Sequence, residues 1–170
     1  MSEHSAKEKK AGVFDCRMCG HCCEGKGGIV VSSRDLRRLC DHMGLSPVEF
    51  ERSWGERWGD KLHIRCGEDG RCVFFEKGAG CSVHEAKPDI CRAWPFFRGN
   101  LVDAESYMLA RDFCPGISVT ESHAAFRRQG LDYLLENNLA GSAGKDEAMA
   151  LQIADLLRLD AKNTEGEDDA

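Results

Sequence analysis

The sequence predicts an α+β fold, mostly helical: a small irregular domain with a short β-hairpin and two C-terminal helices. Three observations carry this. Apolar residues recur at helical spacing in four segments, strand-like runs are few and short, and ten cysteines precede residue 115 with none after it. At 170 residues the chain is long enough to bury an apolar core without covalent staples, so the cysteines call for a chemical explanation.

The helices follow from periodicity and capping. Ser32 or Ser33 caps a helix whose Leu36, Leu39, Cys40 and Met43 share one face, which assigns Cys40 to the core. Ser46-Pro47-Val48-Glu49 places an N-cap, a proline at the first helical position and a glutamate three residues after the cap. Phe50, Trp54 and Trp58 then recur at four-residue steps, giving a helix over 47–57 and three core aromatics. Two longer helices close the chain. One runs over 120–139 on Ala124, Phe126, Leu131 and Leu134, the other over 146–159 on Met149, Ile153 and Leu156, with Gly141-Ser142-Ala143-Gly144 as the break.

Strand signals are brief. Ile29-Val30-Val31 precedes the first helix, and Leu62-His63-Ile64-Arg65 and Cys72-Val73-Phe74-Phe75 flank a turn at Gly67-Glu68-Asp69-Gly70, which predicts one hairpin. Residues 1–12 read as a disordered polar lead and 160–170 as a disordered acidic tail, because neither offers apolar surface to bury. The remainder divides into a cysteine-rich unit over 13–117 and a helical extension over 118–159 packed on it.

Composition removes several classes. The net charge of -6 and the absence of a basic stripe argue against a nucleic-acid partner. No apolar run reaches the roughly 18 residues of a membrane span, and the first residues lack a secretory h-region, so the sequence predicts a cytoplasmic protein with no membrane partner. In a reducing compartment, clustered cysteines are metal ligands or catalytic thiols more often than disulfides.

The densest signal is Cys16-Arg17-Met18-Cys19-Gly20-His21-Cys22-Cys23. Thiolates this close repel one another, and a soft cation removes the repulsion. Two-residue gaps let one turn aim successive sulfurs at a common point, with Gly20 relaxing the backbone. Cys72, Cys81, Cys91 and Cys114 form a second, widely spaced set, each near a chain-turning element, as suits ligands supplied by separate loops. These eight cysteines are the candidate metal ligands, and they would make the domain metal-stapled. His21 lies inside the cluster but is outcompeted by the neighbouring sulfurs as a soft donor. Cys66 stands six residues before Cys72, close enough to meet it across the hairpin. Gly25-Lys26-Gly27-Gly28 lacks the spacing of a phosphate loop and reads as a flexible exit from the cluster.

The same residues resemble the CxxCxxCC, or YkgJ-like, cysteine-cluster family of zinc- or iron-chelating domains. The resemblance rests on the 16–23 cluster, Cys72-Val73-Phe74-Phe75, Cys81-Ser82-Val83-His84-Glu85, the run from Lys87-Pro88 through Cys91 to Trp94-Pro95-Phe96, and Cys114-Pro115-Gly116, and it spans about 14–117. The family shows arginine where this chain has Lys87 and an aromatic residue where it has His84, so the resemblance does not make His84 a ligand. It strengthens the assignment of the distal cysteines. Relatives that carry this domain in flagellin lysine methylases imply that it can serve an enzyme.

Spacing weighs the metals. The gaps at 16, 19 and 22 match the first three positions of a bacterial ferredoxin run, and Cys114-Pro115 echoes the fourth, which favours a 4Fe-4S iron-sulfur cluster. The local fourth position is Lys26, however, and a Zn2+ site remains open although no second close Cys-x2-Cys pair follows. The spacing of a radical S-adenosylmethionine enzyme, a zinc-protease His-Glu-x-x-His and a nucleotide loop are all missing. The leading expectation is a metal-binding protein with an electron-transfer, chelating or assembly role. The alternatives are a metal-dependent protein-modifying enzyme such as a lysine methyltransferase, and a zinc-stabilised module that binds a protein partner.

Overall fold

The computed structural model describes residues 12–25, 28–141 and 148–158. The expected disordered lead up to residue 11, the acidic tail, Lys26-Gly27 of the cluster exit and Ser142 to Gly144 of the helix break lie outside these residues. Helices prevail over two small antiparallel sheets, so the fold is α+β.

The first helices start where their caps dictate. Helix α1 (Ser33–Met43) is capped by Ser32, whose hydroxyl accepts from the Asp35 amide while the Asp35 carboxylate accepts from the Ser32 amide. Helix α2 (Pro47–Trp54) repeats the arrangement with Ser46 and Glu49, and Pro47 takes the position where a missing N–H costs nothing. Helix α2 stops earlier than its apolar spacing predicts. Its C-terminal residues give way to strand β2 (Gly55–Trp58), so Trp58 leaves the helical face and stands 48% exposed against His63 rather than in the core.

The three-stranded sheet has the order β1 (Val30–Val31), β3 (Lys61–Ile64), β2, antiparallel throughout. The hairpin therefore joins β2 to β3 rather than pairing 62–65 with 72–75. The predicted pairing survives only as a bridge between Cys66 and Cys72 around the 67–70 turn. Strand propensity in Leu62–Ile64 was legible, but its partner was hidden in a segment whose aromatics mimic a helical period. A second, two-stranded sheet pairs β4 (Phe75–Glu76) with β5 (Gly80–Cys81).

Helix α3 (Asp89–Ala93) was not anticipated, nor were α4 (Arg98–Val102) and α5 (Ala104–Phe113), which follow it. Their sequence signal is an N-cap, Asp103, which accepts from the Ser106 amide at 2.7 Å, together with a narrow buried seam at Leu101, Tyr107 and Ala110. Helix α6 (His123–Glu136) is a trimmed version of the predicted 120–139 helix and starts at its Ser122 cap. In place of a continuous 146–159 helix, the described residues hold a 3-10 turn, Met149–Leu151, and a helical stretch over 154–158.

The core runs through Leu39, Phe50, Leu101, Phe126, Leu134, Leu139 and Ile153, all fully buried. Each such side chain contributes roughly 1.5–3 kcal/mol by leaving water. Phe96 links α6 to the cysteine-bearing loops, with its ring 5.0 Å from Phe126 and 5.4 Å from Tyr133.

Candidate metal centre

The 16–23 turn offers little apolar surface and is held instead by backbone pairing on both sides. Ahead of it, Phe14 bridges Ile117, and the Asp15 amide donates to the Gly116 carbonyl at 2.9 Å. A Cβ at residue 116 would lie 2.4 Å from the Asp15 carbonyl oxygen, so this close approach requires the glycine that follows Cys114-Pro115. Behind it, Glu24 bridges Arg71, the Gly25 amide donates to Gly70 at 2.9 Å, and the Cys72 amide donates to the Cys23 carbonyl at 2.7 Å. The proximal turn is thereby strung between the segments that carry Cys72 and Cys114.

Within the turn, Gly20 adopts a φ of 84°, and its α-carbon sits against the Phe75 ring so closely that a Cβ would meet Cζ at 2.2 Å. A 3-10 turn, His21–Cys23, follows. The His21 ring donates through Nδ1 to the Phe113 carbonyl at 2.8 Å, fixing the cluster to the end of α5 next to Cys114.

These ties enclose a cavity of about 240 Å³. Cys16, Cys19, Cys22 and Cys23 line it from the proximal turn, and Cys81, Cys91 and Cys114 from the distal loops. Phe14, Phe75, Ile90, Trp94, Phe97 and Phe113 give it apolar walls. Cys72 is 6% exposed and is not part of the lining, but its thiol feels the charges of Cys81, Cys66 and Cys22. Cys40 is buried on α1 and does not line the cavity. His84 and Lys87 do line it, and Lys87 is the site residue that cysteine counting missed. Its signal was its place four residues before Cys91 in the Lys-Pro-Asp-Ile-Cys run.

Electrostatics in the cavity follow from crowding. The Cys22 thiol is pushed far up, first by its hydrogen bond with Cys23 and then by burial. Burial raises Cys72 to about 11. Burial also raises Cys81, and it raises Cys91 strongly, with Cys72, Cys22 and Cys81 adding like-charge repulsion there. Lys87 acts in the opposite sense on Cys22, Cys81 and Cys91. Burial and crowding thus favour the protonated form of Cys22, Cys72, Cys81 and Cys91 until a cation compensates them.

The loop bearing Lys87 and Cys91 is anchored by a buried ionic network. Arg38 donates to Asp35 at 2.6 Å, to Asp89 at 2.9 Å and to the Lys87 carbonyl at 2.8 Å. Asp35 also accepts from the Asp89 amide at 2.9 Å, while Arg34 and Arg92 complete the shell of Asp89. Asp35 and Asp89 are 2% and 3% exposed, and carboxylates so buried persist only when paired and hydrogen-bonded. Arg92, one turn along α3, donates to Asp89 at 3.2 Å from its half-buried side chain.

Among the described residues, no three histidine, cysteine, aspartate or glutamate side chains converge on one point as the ligands of a single ion do. The thiols ring a cavity instead. The donor chemistry nevertheless fits zinc or iron, because the ring is rich in sulfur, the walls are apolar, and the acidic residue in the lining, Glu24, is paired with Arg71 at 2.8 Å.

A small α+β domain whose separate loops bring cysteine thiols to one cavity defines the class of cysteine-cluster chelating domains. The chain belongs to the CxxCxxCC family, described as a putative zinc- or iron-chelating domain, whose model matches residues 15–115, more than half of the chain. No curated protein and no solved structure matches it. Among the described residues no helix is long and apolar enough to cross a membrane.

Proposed function

We propose that this chain binds an iron-sulfur centre, of the 4Fe-4S type, in the cavity between the 16–23 turn and the distal cysteines, and that it serves as an electron-transfer or cluster-handling protein of the cytoplasm. Its candidate donors are Cys16, Cys19, Cys22, Cys23, Cys72, Cys81, Cys91 and Cys114. The observation that carries this reading is that cysteines from both sets line one cavity. Their spread around that cavity, instead of at one point, suits a polynuclear body better than one tetrahedral Zn2+. The spacing of Cys16, Cys19 and Cys22 favours the same choice.

Such a centre supplies one-electron chemistry when bound. This chain's own residues set its surroundings. Phe75, Trp94, Phe97 and Phe113 give the cavity apolar walls, and the degree to which such walls shield a cluster from water tunes its potential. Lys87 places a positive charge where thiolates gather, which eases loss of their protons and offsets the anionic charge of the ligand set.

Anaerobic purification followed by iron, acid-labile sulfide and zinc analysis with a visible spectrum tests the reading. The expected result is a brown protein with about four iron and four sulfide per chain. A colourless protein holding only zinc removes the iron-sulfur assignment, and one holding neither metal removes the centre.

A further inference from the structure

Cys66 belongs neither to the proximal cluster nor to the distal set, yet it stands directly opposite Cys72 in an antiparallel bridge. The Gly67 amide donates to the Arg71 carbonyl at 2.7 Å and the Val73 amide to the Arg65 carbonyl at 3.2 Å. Those flanking bonds make Cys66 and Cys72 a non-hydrogen-bonded pair. In such a pair the Cα atoms approach to about 4.5 Å and both side chains leave the same face of the ribbon. A disulfide needs Cα atoms roughly 4.4–6.8 Å apart. The register is held firmly, since the 67–70 turn is closed by Gly70 donating to Gly67 at 3.0 Å and by Asp69 accepting from the Arg71 amide at 3.1 Å. Cys66 also reaches the cluster side, where its thiol donates to the Gly25 carbonyl at 3.3 Å.

We propose that Cys66 and Cys72 form a redox-active dithiol that closes to a disulfide, with a small-molecule disulfide as the oxidant. Cys66, half-buried where Cys72 is 6% exposed, meets the oxidant first. Its thiolate attacks one sulfur of oxidised glutathione, the glutathione S–S bond breaks, and one glutathione leaves as a thiolate. The Cys72 thiolate then attacks the Cys66 sulfur of the mixed disulfide and expels the second glutathione. Two protein thiols are oxidised, one glutathione disulfide is reduced to two thiols, and the two protons lost by the cysteines end on the released glutathiones. The pairing stands on the backbone register alone. Its consequence rests on the proposed metal centre: closing the disulfide takes Cys72 out of the donor set, so oxidation and metal loading exclude one another.

The test uses the full chain, once metal-loaded and once chelated under reducing conditions, each equilibrated in glutathione buffers, quenched in acid, alkylated and digested with trypsin. Cleavage after Arg65, Arg71 and Lys77 puts Cys66 and Cys72 on separate peptides with one cysteine each, so their linkage is read directly. The expected first product in chelated protein is the Cys66–Cys72 linked pair. Cys66→Ser abolishes it, Cys40→Ser leaves it, and loaded protein yields about tenfold less of it. If the first disulfides join other cysteines while Cys66 is recovered alkylated, the proposal is overturned. Equal yields of the linked pair from loaded and chelated protein uphold the dithiol and strike Cys72 from the ligand set instead.

Discussion

The amide of Cys72 donates to the carbonyl oxygen of Cys23 at 2.7 Å, joining the distal half of the chain to the proximal cluster through the backbone. The cavity is therefore outlined by the polypeptide itself, and the side chains inside it can be tested separately from the frame.

Loss of a cavity thiol and loss of a core thiol should differ. Cys19 is exposed on the cavity wall, whereas Cys40 is 5% exposed on α1 and outside it. Cys19→Ser is expected to lose most of the bound metal and Cys40→Ser almost none, as measured by metal analysis of anaerobically purified protein. Equal metal contents in the two variants would contradict the ligand assignment.

Gly20→Ala places a Cβ 2.2 Å from the Phe75 ring at a φ of 84°. The left-handed conformation costs an L-residue roughly 1–2 kcal/mol and overpacking roughly 1–3 kcal/mol more. Urea unfolding should show a loss of about 2–5 kcal/mol. Adding Phe75→Leu should recover the packing part and leave the backbone part; no recovery would mean that Phe75 does not press on the turn.

Arg38→Leu keeps much of the aliphatic volume but leaves Asp35 and Asp89 without their shared cation. Removing one member of a buried ionic network costs about 3 kcal/mol. Because the same guanidinium holds the Lys87 carbonyl two residues before Asp89, metal occupancy should fall as well. Denaturant midpoints and metal content check both. A stability loss under about 0.5 kcal/mol would show that the network is an ordinary surface feature.

The metal-free protein should be sensitive to alkali. Burial holds Cys72 up to about 11 from an ordinary 9.0, and raises Cys81 and Cys91 in the same direction. With folded values above unfolded ones, the unfolded chain releases these protons first as pH rises. The associated stability is fully present below about pH 9 and is lost as pH climbs toward 11. Urea midpoints of chelated, reduced protein should be flat from pH 7 to 9 and fall above it, with a shallower fall in Cys72→Ala. A midpoint that rises above pH 9 would reverse the assigned direction.

Much of this was legible in the sequence because its local rules were obeyed. The Ser32 cap and the capping box at Ser46–Glu49 announced α1 and α2, and the dense 16–23 cysteines pointed to thiols that line the cavity. Trp58 misled because aromatics at four-residue steps look helical until a glycine, here Gly55, ends the helix and starts a strand. Helices α4 and α5 were hidden because only Leu101, Tyr107 and Ala110 form their buried seam, too sparse a pattern to count. The pairing of 13–15 with 116–118, the Arg38 network and the opposition of Cys66 to Cys72 depend on tertiary register, which single-chain periodicity does not encode.

Thiols from the two halves of the chain should hold one centre. Anomalous diffraction at the iron and zinc edges from anaerobically grown crystals tests it most directly. The expected result is iron density inside the cavity, with a sulfur of the 16–23 turn and a sulfur of Cys72, Cys81, Cys91 or Cys114 each about 2.3 Å from an iron of the same centre. A peak bound only by the proximal turn, with every distal sulfur more than about 7 Å from it, would contradict the account, since bonds near 2.3 Å cannot bridge that gap.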